Sequence, residues 1–243
     1  MNNSPIRIQK LLANQNVASR RKIESLIEQG RILINGQVAQ LGDKASTNDE
    51  IKLDGKKIQL KKTPASIRII LYHKPEGEIC SNYEPFHENT VFDNLPHLKQ
   101  GRWVAVGRLD INTSGLLIFT NDGNTAHQLM HPKHEWERIY LARVRGKLNT
   151  HQEKEMLAGI SIENYVAKCS QIKCIRSNGA NNWYQIGLYE GKNREVKKMF
   201  EYYGLSVSRL KRIQYGPYSL PTHLKPKQVM ELSQEQINQL ENK

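Results

Sequence analysis

The chain of 243 residues is poor in several features that would each announce a class of protein. Only three cysteines are present, an odd number, so a disulfide framework is not expected. Cys169 and Cys174 stand five apart with no histidine or second cysteine pair at metal-ligand spacing, which argues against zinc. No apolar run approaches the roughly 20 residues of a membrane span. The opening stretch MNNSPIRIQKLLANQ lacks the apolar core of a signal peptide, so a soluble cytoplasmic protein is expected. There is no G-x-x-x-x-G-K-(S/T), no G-x-G-x-x-G after a strand and no H-E-x-x-H, and His127, His131 and His134 do not make a ligand set. Neither a cofactor nor a metal is expected. Acidic residues are also few: 24 against 36 Lys and Arg, a net charge of +12. Such a balance suits a polyanionic partner, although it also serves solubility.

The basic charge is unevenly placed. Residues 1–62 carry twelve Lys and Arg against six Asp and Glu. Ile8, Leu11 and Leu12 fall at helical spacing, as do Ile23, Leu26 and Ile27. Ser19 is suited to cap the second helix and Gly30 to end it. Ile32-Leu33-Ile34, Asn35-Gly36 and Gln37-Val38-Ala39 read as strand, tight turn and strand, and Ile51 to Leu53 as a further strand turning at Asp54-Gly55. Arg20, Arg21 and Lys22 occupy the first turn of the second helix, where the helix dipole disfavours cations. A solvated turn is one reading; a phosphate-contacting patch is preferred. Lys61 to Ser66 is polar and contains a proline, so the expected division is 1–62, a linker at 63–66, and a second domain over 67–243.

The second domain is expected to open with a strand over Ile67 to Tyr72, then a turn through His73-Lys74-Pro75-Glu76-Gly77. Asn82 to Asn89 reads as an irregular polar loop. Residues 107 to 123, GRLDINTSGLLIFTNDG, place a polar loop between two apolar runs, Trp103-Val104-Ala105-Val106 and Leu116-Leu117-Ile118-Phe119. Gly107, Asn112, Ser114 and Gly115 let the connection bend, and Asn121-Asp122-Gly123 is expected to turn after the second strand. Asp110 therefore sits on a loop held at both ends by core strands, as a turn cap or as a catalytic carboxylate. Further on, Glu137 to Val144 alternates as a strand with Tyr140 on one face. Residues 150–158 look helical, short strands follow through Ile172, and Trp183 to Tyr189 alternates again. Gly191 breaks that strand; Val196, Met199 and Phe200 then make one apolar helix face with lysines opposite. A last helix is expected from Ser233.

Two resemblances sharpen this reading. Residues 6 to 54 resemble the S4-like (αL) RNA-binding domain. The GRLD stretch resembles motif II of the pseudouridine synthases, in the RsuA/RluB branch, matching GRLD-x-x-(S/T)-x-GLL-x-(F/L)-T-(N/T)-DG without a gap. Tyr72 to Gly77 is similar to motif I of that family, where the Lys-Pro pair is structural. EGKNREVKKM and VSRLKRIQYGPYSL are similar to motif III and its companion L-x-R-x-x-x-G-x-x-x-L. The resemblance implies an α+β protein: the small S4-like domain joined to a catalytic domain with a largely antiparallel mixed sheet flanked by helices and loops. It makes Asp110 the catalytic carboxylate, Tyr140 the aromatic that stacks on the target base, and Lys197 the basic partner of Asp110. Leu210 would lie beneath the base. Arg108 would grip phosphate or fill the space a flipped base vacates, and Lys192 and Arg194 would contact substrate. Asn193-Arg194-Glu195 in place of Tyr-His-Gln favours the RluB-like subgroup, which implies a hairpin of large-subunit (23S) rRNA as substrate for a monomeric enzyme.

Turning uridine into pseudouridine breaks the N-glycosidic bond, turns the uracil and joins C5 to C1′. Neither redox change nor net hydrolysis occurs, which suits a chain with no cofactor signature. The carboxylate could attack C1′, attack C6 or take the 2′ proton, and the residues leave these routes open. A synthase acting on small-subunit rRNA or tRNA would share most of the motifs. A non-catalytic RNA-binding assembly factor is the rival from another class.

Overall fold

The computed structural model describes residues 4–15, 17–60, 66–81, 89–99 and 101–241. Most of the expected linker (63–65) and of the polar loop at 82–89 lies outside the described residues. The chain divides into two compact units, Met1–Ile67 with His97–Arg102, and Arg68–Pro96 with Trp103–Lys243.

In the first unit the order is β1 (Ile6–Arg7), α1 (Ile8–Asn14), α2 (Arg20–Glu28), β2 (Ile32–Ile34), β3 (Gln37–Val38), β4 (Lys44–Ala45), β5 (Ile51–Leu53) and β6 (Lys56–Lys57). Ile8, Leu11 and Leu12 of α1 meet Ile23, Leu26 and Ile27 of α2 over Ile32 and Ile51, and all eight are buried. Each such aliphatic side chain contributes roughly 1.5–3 kcal/mol of burial, before the entropy of ordering the chain is set against it. The caps are local. Ser19 Oγ accepts from the Lys22 N–H at 3.2 Å, and Gly30, at φ +67°, closes the far end of α2 on the Ile27 carbonyl at 2.8 Å. The four strands lie in the order β3-β2-β5-β6, and β1 pairs with β4. Asn35 and Gly36, at φ 49° and 87°, make the β2–β3 turn with both central residues left-handed, the geometry for which Asn-Gly is favoured.

The second unit contains β7 (Ile69–Lys74), β8 (Val104–Val106), β9 (Thr113–Thr120), α3 (Gly123–Met130), β10 (Arg138–Arg145), α4 (Thr150–Ala158), β11 (Ile160–Ile162), β12 (Tyr165–Ala167), β13 (Gln171–Asn178), β14 (Asn181–Leu188), α5 (Glu195–Glu201), β15 (Ser206–Tyr215), β16 (Tyr218–Ser219), β17 (Val229–Glu231) and α6 (Gln234–Glu241). Among the described residues β11 and β12 pair only with each other, and the other strands build one mixed sheet in the order β13-β14-β10-β15-β9-β7-β17, with β8 also on β9 and β16 on β15. Every pairing is antiparallel except β15 with β9, which run parallel. The protein is α+β, with helices against a largely antiparallel sheet. Its core strand β7 is buried at all six positions.

Several local expectations change. His73 and Lys74 belong to β7 rather than to the turn, because a buried strand gives the Lys74 ammonium carbonyl partners at its end. Asp122 does not close a turn: its carboxylate accepts from the Thr125 N–H at 2.7 Å and caps α3, so Gly123 opens a helix. Ser114 and Gly115 lie within β9, not in a bend. Gly115 (φ +108°) is required because a Cβ there would stand 2.1 Å from the Arg212 carbonyl oxygen on β15. Instead of ending at Ile172, the third strand of that region continues to Asn178 along β14. No helix among the described residues is long and apolar enough to cross a membrane.

Candidate active site

The loop bearing Asp110 is held from below by a buried ammonium. Lys74 is fully buried, and its Nζ donates to the carbonyls of Thr113 (2.9 Å), Pro75 (3.0 Å), Asp110 (3.1 Å) and Ile111 (3.3 Å). Burial lowers the Lys74 pKa, and the Cys80 thiol and the carboxylates of Glu78, Asp110 and Glu76 oppose that shift. Further backbone bonds complete the clamp: the Gly77 N–H to Ile111 O at 2.8 Å and the Thr113 N–H to Asp110 O at 3.0 Å. With its carbonyls turned toward Lys74, the loop leaves the Asp110 side chain half-buried at the edge of an open cavity of about 440 Å³. Cys80 lies beneath the same loop, its Sγ accepting from the Leu109 N–H at 3.5 Å, and burial pushes its pKa up.

The floor of that cavity follows from strand register. Thr113 on β9 pairs with Leu210 on β15, and Gly115 with Arg212. On the other side of β15, Ala142 of β10 pairs with Leu210 and Tyr140 with Arg212, next to a bulge between Ile139 and Tyr140. Alternation along each strand then puts Thr113, Leu210, Arg212 and Tyr140 on one face of the sheet. All four are buried and all four line the cavity. Gly115 has no side chain on this face, which allows β9 and β15 to approach.

The rim is cationic and partly paired. Arg108 is exposed beside Asp110. Lys192 is exposed, bonded to Glu190 at 2.6 Å, with its Nζ 4.2 Å from the centre of the Tyr165 ring. Arg194 reaches Glu201 at 3.0 Å and holds φ at 55° at the start of α5. Arg138 donates to the Tyr189 carbonyl and to Tyr215 Oη. Glu195, also lining the cavity, is buried and accepts from the Lys192 N–H at 2.9 Å; burial pushes its pKa up. No group of three or more His, Cys, Asp or Glu among the described residues could hold a metal ion.

The structure thus brings together Asp110, Tyr140, Leu210, Arg108, Lys192 and Arg194, which lie far apart in the chain. Lys197 is not among the lining side chains: it is buried on α5, whose Glu195 and Val196 face the cavity. Arg20, Arg21 and Lys22 belong to the other unit and stand exposed at the start of α2. Arg212 and Thr113 also line the cavity, although the motifs that contain them assign neither a role. The i, i+2 spacing of Leu210 and Arg212 was the available signal, since a strand places both on one face.

Comparison with known proteins agrees with this architecture. Residues 68–202 match the model of the RNA pseudouridylate synthase family, and residues 6–51 match the S4 domain. The chain belongs to that family: it is an RNA pseudouridine synthase with an S4 domain preceding the synthase region. Among its relatives are two proteins named ribosomal large subunit pseudouridine synthase B. The one from Pseudomonas aeruginosa is 44% identical over 96% of this chain and 61% of its own length. The one from Salmonella typhimurium is 44% identical over 96% of this chain and 81% of its own length. A crystal structure of a pseudouridylate synthase superposes with a TM-score of 0.66 at 26% identity, covering 97% of this chain and 99% of the other.

Proposed function

We propose that this enzyme converts one uridine of large-subunit (23S) rRNA into pseudouridine, as a monomer in the cytoplasm, with Asp110 as the reacting carboxylate. The observation that carries this reading is the convergence of Asp110, Tyr140 and Leu210 on one cavity, from a loop and two strands of the sheet. The names of the relatives support the choice of RNA. The base leaves its stack and enters between the Tyr140 ring and Leu210, where stacking and apolar contact replace what it loses. Asp110, beside it, acts at C1′, at C6 or on the 2′ proton. The C1′–N1 bond breaks, the uracil turns within the pocket, C5 bonds to C1′, and C5 loses its proton while N1 ends protonated. Substrate and product are isomers, so no external oxidant, reductant or water is consumed. Lys197, buried on the helix whose Glu195 and Val196 line the cavity, is the basic partner proposed for the carboxylate. Arg108, Lys192 and Arg194 hold the flanking phosphates, and Arg20, Arg21 and Lys22 hold phosphates elsewhere on the RNA.

The test is to map pseudouridines by carbodiimide labelling and primer extension on both rRNAs and on tRNA from cells lacking the protein. A 23S stop that wild type restores and Asp110→Asn does not is expected. A stop restored on 16S rRNA or tRNA would reassign the substrate, and persistence of every pseudouridine would favour a binding factor.

A further inference from the structure

Two residues that line the cavity each carry a buried polar atom with no hydrogen-bond partner among the described residues. Arg212 is 2% exposed; its Nε donates to the Leu116 carbonyl at 2.8 Å, and its Nη2 is buried without a hydrogen bond. Thr113, also 2% exposed, has a buried Oγ1 without a hydrogen bond. A folded chain rarely leaves such groups unsatisfied, and where it does the reason is often a ligand. Here both lie on the one sheet face that also carries Tyr140 and Leu210, and both line the cavity.

We infer that Arg212 and Thr113 read the hydrogen-bonding edge of the extruded base and select uracil over cytosine. This rests on the pseudouridine synthase reading and adds what recognises the base once it is in the pocket. Uracil presents a carbonyl at position 4 and an N–H at position 3. The Arg212 guanidinium can only donate and therefore suits the O4 carbonyl; the Thr113 hydroxyl can accept from N3–H. Cytosine reverses both groups: it sets an amino donor against Arg212, while the Thr113 hydroxyl, which donates as well as accepts, can turn to the bare N3, so the discrimination falls to Arg212. The guanidinium is held by its Nε bond and by the Tyr215 ring, 5.1 Å from Cζ to ring centre, so it is oriented before the base arrives. A site built to bond a polar group discriminates strongly against an analogue lacking it, because its own buried donors are then left bare.

The test uses the full chain and short hairpins bearing the mapped target uridine, or cytidine or 4-thiouridine in its place; the thiocarbonyl is a poor acceptor. Dissociation constants are measured by competition, with single-turnover conversion of the uridine hairpin alongside. Wild type is expected to bind the cytidine and 4-thiouridine hairpins about tenfold or more weakly than uridine. Arg212→Met should erase the 4-thiouridine penalty and most of the cytidine penalty, and Thr113→Val should weaken the uridine and cytidine hairpins together while leaving both penalties intact. Thr113→Ser, which keeps the hydroxyl, and Arg212→Lys, which keeps a donor, should retain most of the discrimination. A merely structural role of Arg212 would make Arg212→Met weaken all three hairpins alike and leave their ratios unchanged, and that result would overturn the inference alone. No conversion of uridine by wild type would overturn the parent reading and this one with it.

Discussion

Arg20, Arg21 and Lys22 stand exposed at the head of a helix in the first unit, while Lys74 and Arg212 are sealed into the second at 0% and 2% exposure. The two sets of cations do different work. Those of the first unit oppose the dipole of α2 and have no ion pair among the described residues, which suits a polyanion that arrives from solvent. Lys74 spends its charge on four carbonyls and so shapes the loop that carries Asp110. Arg212 bonds one carbonyl through Nε, and its buried Nη2 has no hydrogen-bond partner among the described residues. The proposed function thus places affinity for RNA and the geometry of the site in separate groups, and changes in the two units should separate them.

The largest structural effect is expected at the seam between β9 and β15. Gly115→Ala places a Cβ 2.1 Å from the Arg212 carbonyl at a φ that L residues rarely adopt. It should cost about 3 kcal/mol or more in urea unfolding and abolish activity with it; a loss under about 1 kcal/mol would mean that the strands can part. Next, Lys74→Met leaves the loop carbonyls without their ammonium, an expected loss of about 2–3 kcal/mol. Conversion should fall further than stability explains at a temperature where the variant is folded, because the Asp110 loop is released. Equal kcat in folded Lys74→Met would sever the link drawn between that cation and the site.

Replacing Arg20, Arg21 and Lys22 together by Ala should do the reverse. The slope of log affinity against log salt should shrink by about 2 to 3. The protein itself should become no less stable, since each cation at the helix start is unfavourable by about 0.3–1 kcal/mol. An unchanged slope would remove the patch from the account. The smallest effect concerns His73, which is buried with Nδ1 2.6 Å from the Leu224 carbonyl. Burial lowers its pKa in the folded state, so the unfolded chain binds the proton first. Stability from this group is complete above the unfolded value of about 6.5 and declines as pH falls below it. His73→Gln should flatten that part of a stability profile between pH 7 and 5.

How far each region could be read in advance follows the same division. Ser19, Gly30 and Asn35-Gly36 act on residues within four positions of themselves, so their roles in the first unit were legible from the chain alone. The loop with Asp110 and the strand with Tyr140 were legible as elements. Their meeting was not, because it depends on β9 pairing in parallel with β15 nearly a hundred residues later. Gly115 reads as a bend residue until that pairing is known. Lys74 reads as part of a turn until its carbonyl partners, up to 39 residues away, are in place. Thr113 and Arg212 occupy named positions of two motifs, but only the register shows that they meet on the face of Tyr140.

The central claim is that the carboxylate of Asp110 does the chemistry in a pocket that other residues build. The most direct measurement is release of tritium from C5 of labelled target uridine in purified RNA, by wild type and by Asp110→Asn. RNA binding is measured on the same preparations. The account predicts that binding stays within about twofold while release falls by about a thousandfold or more. Substantial release by the Asn variant, or a loss matched by a loss of binding, would contradict it.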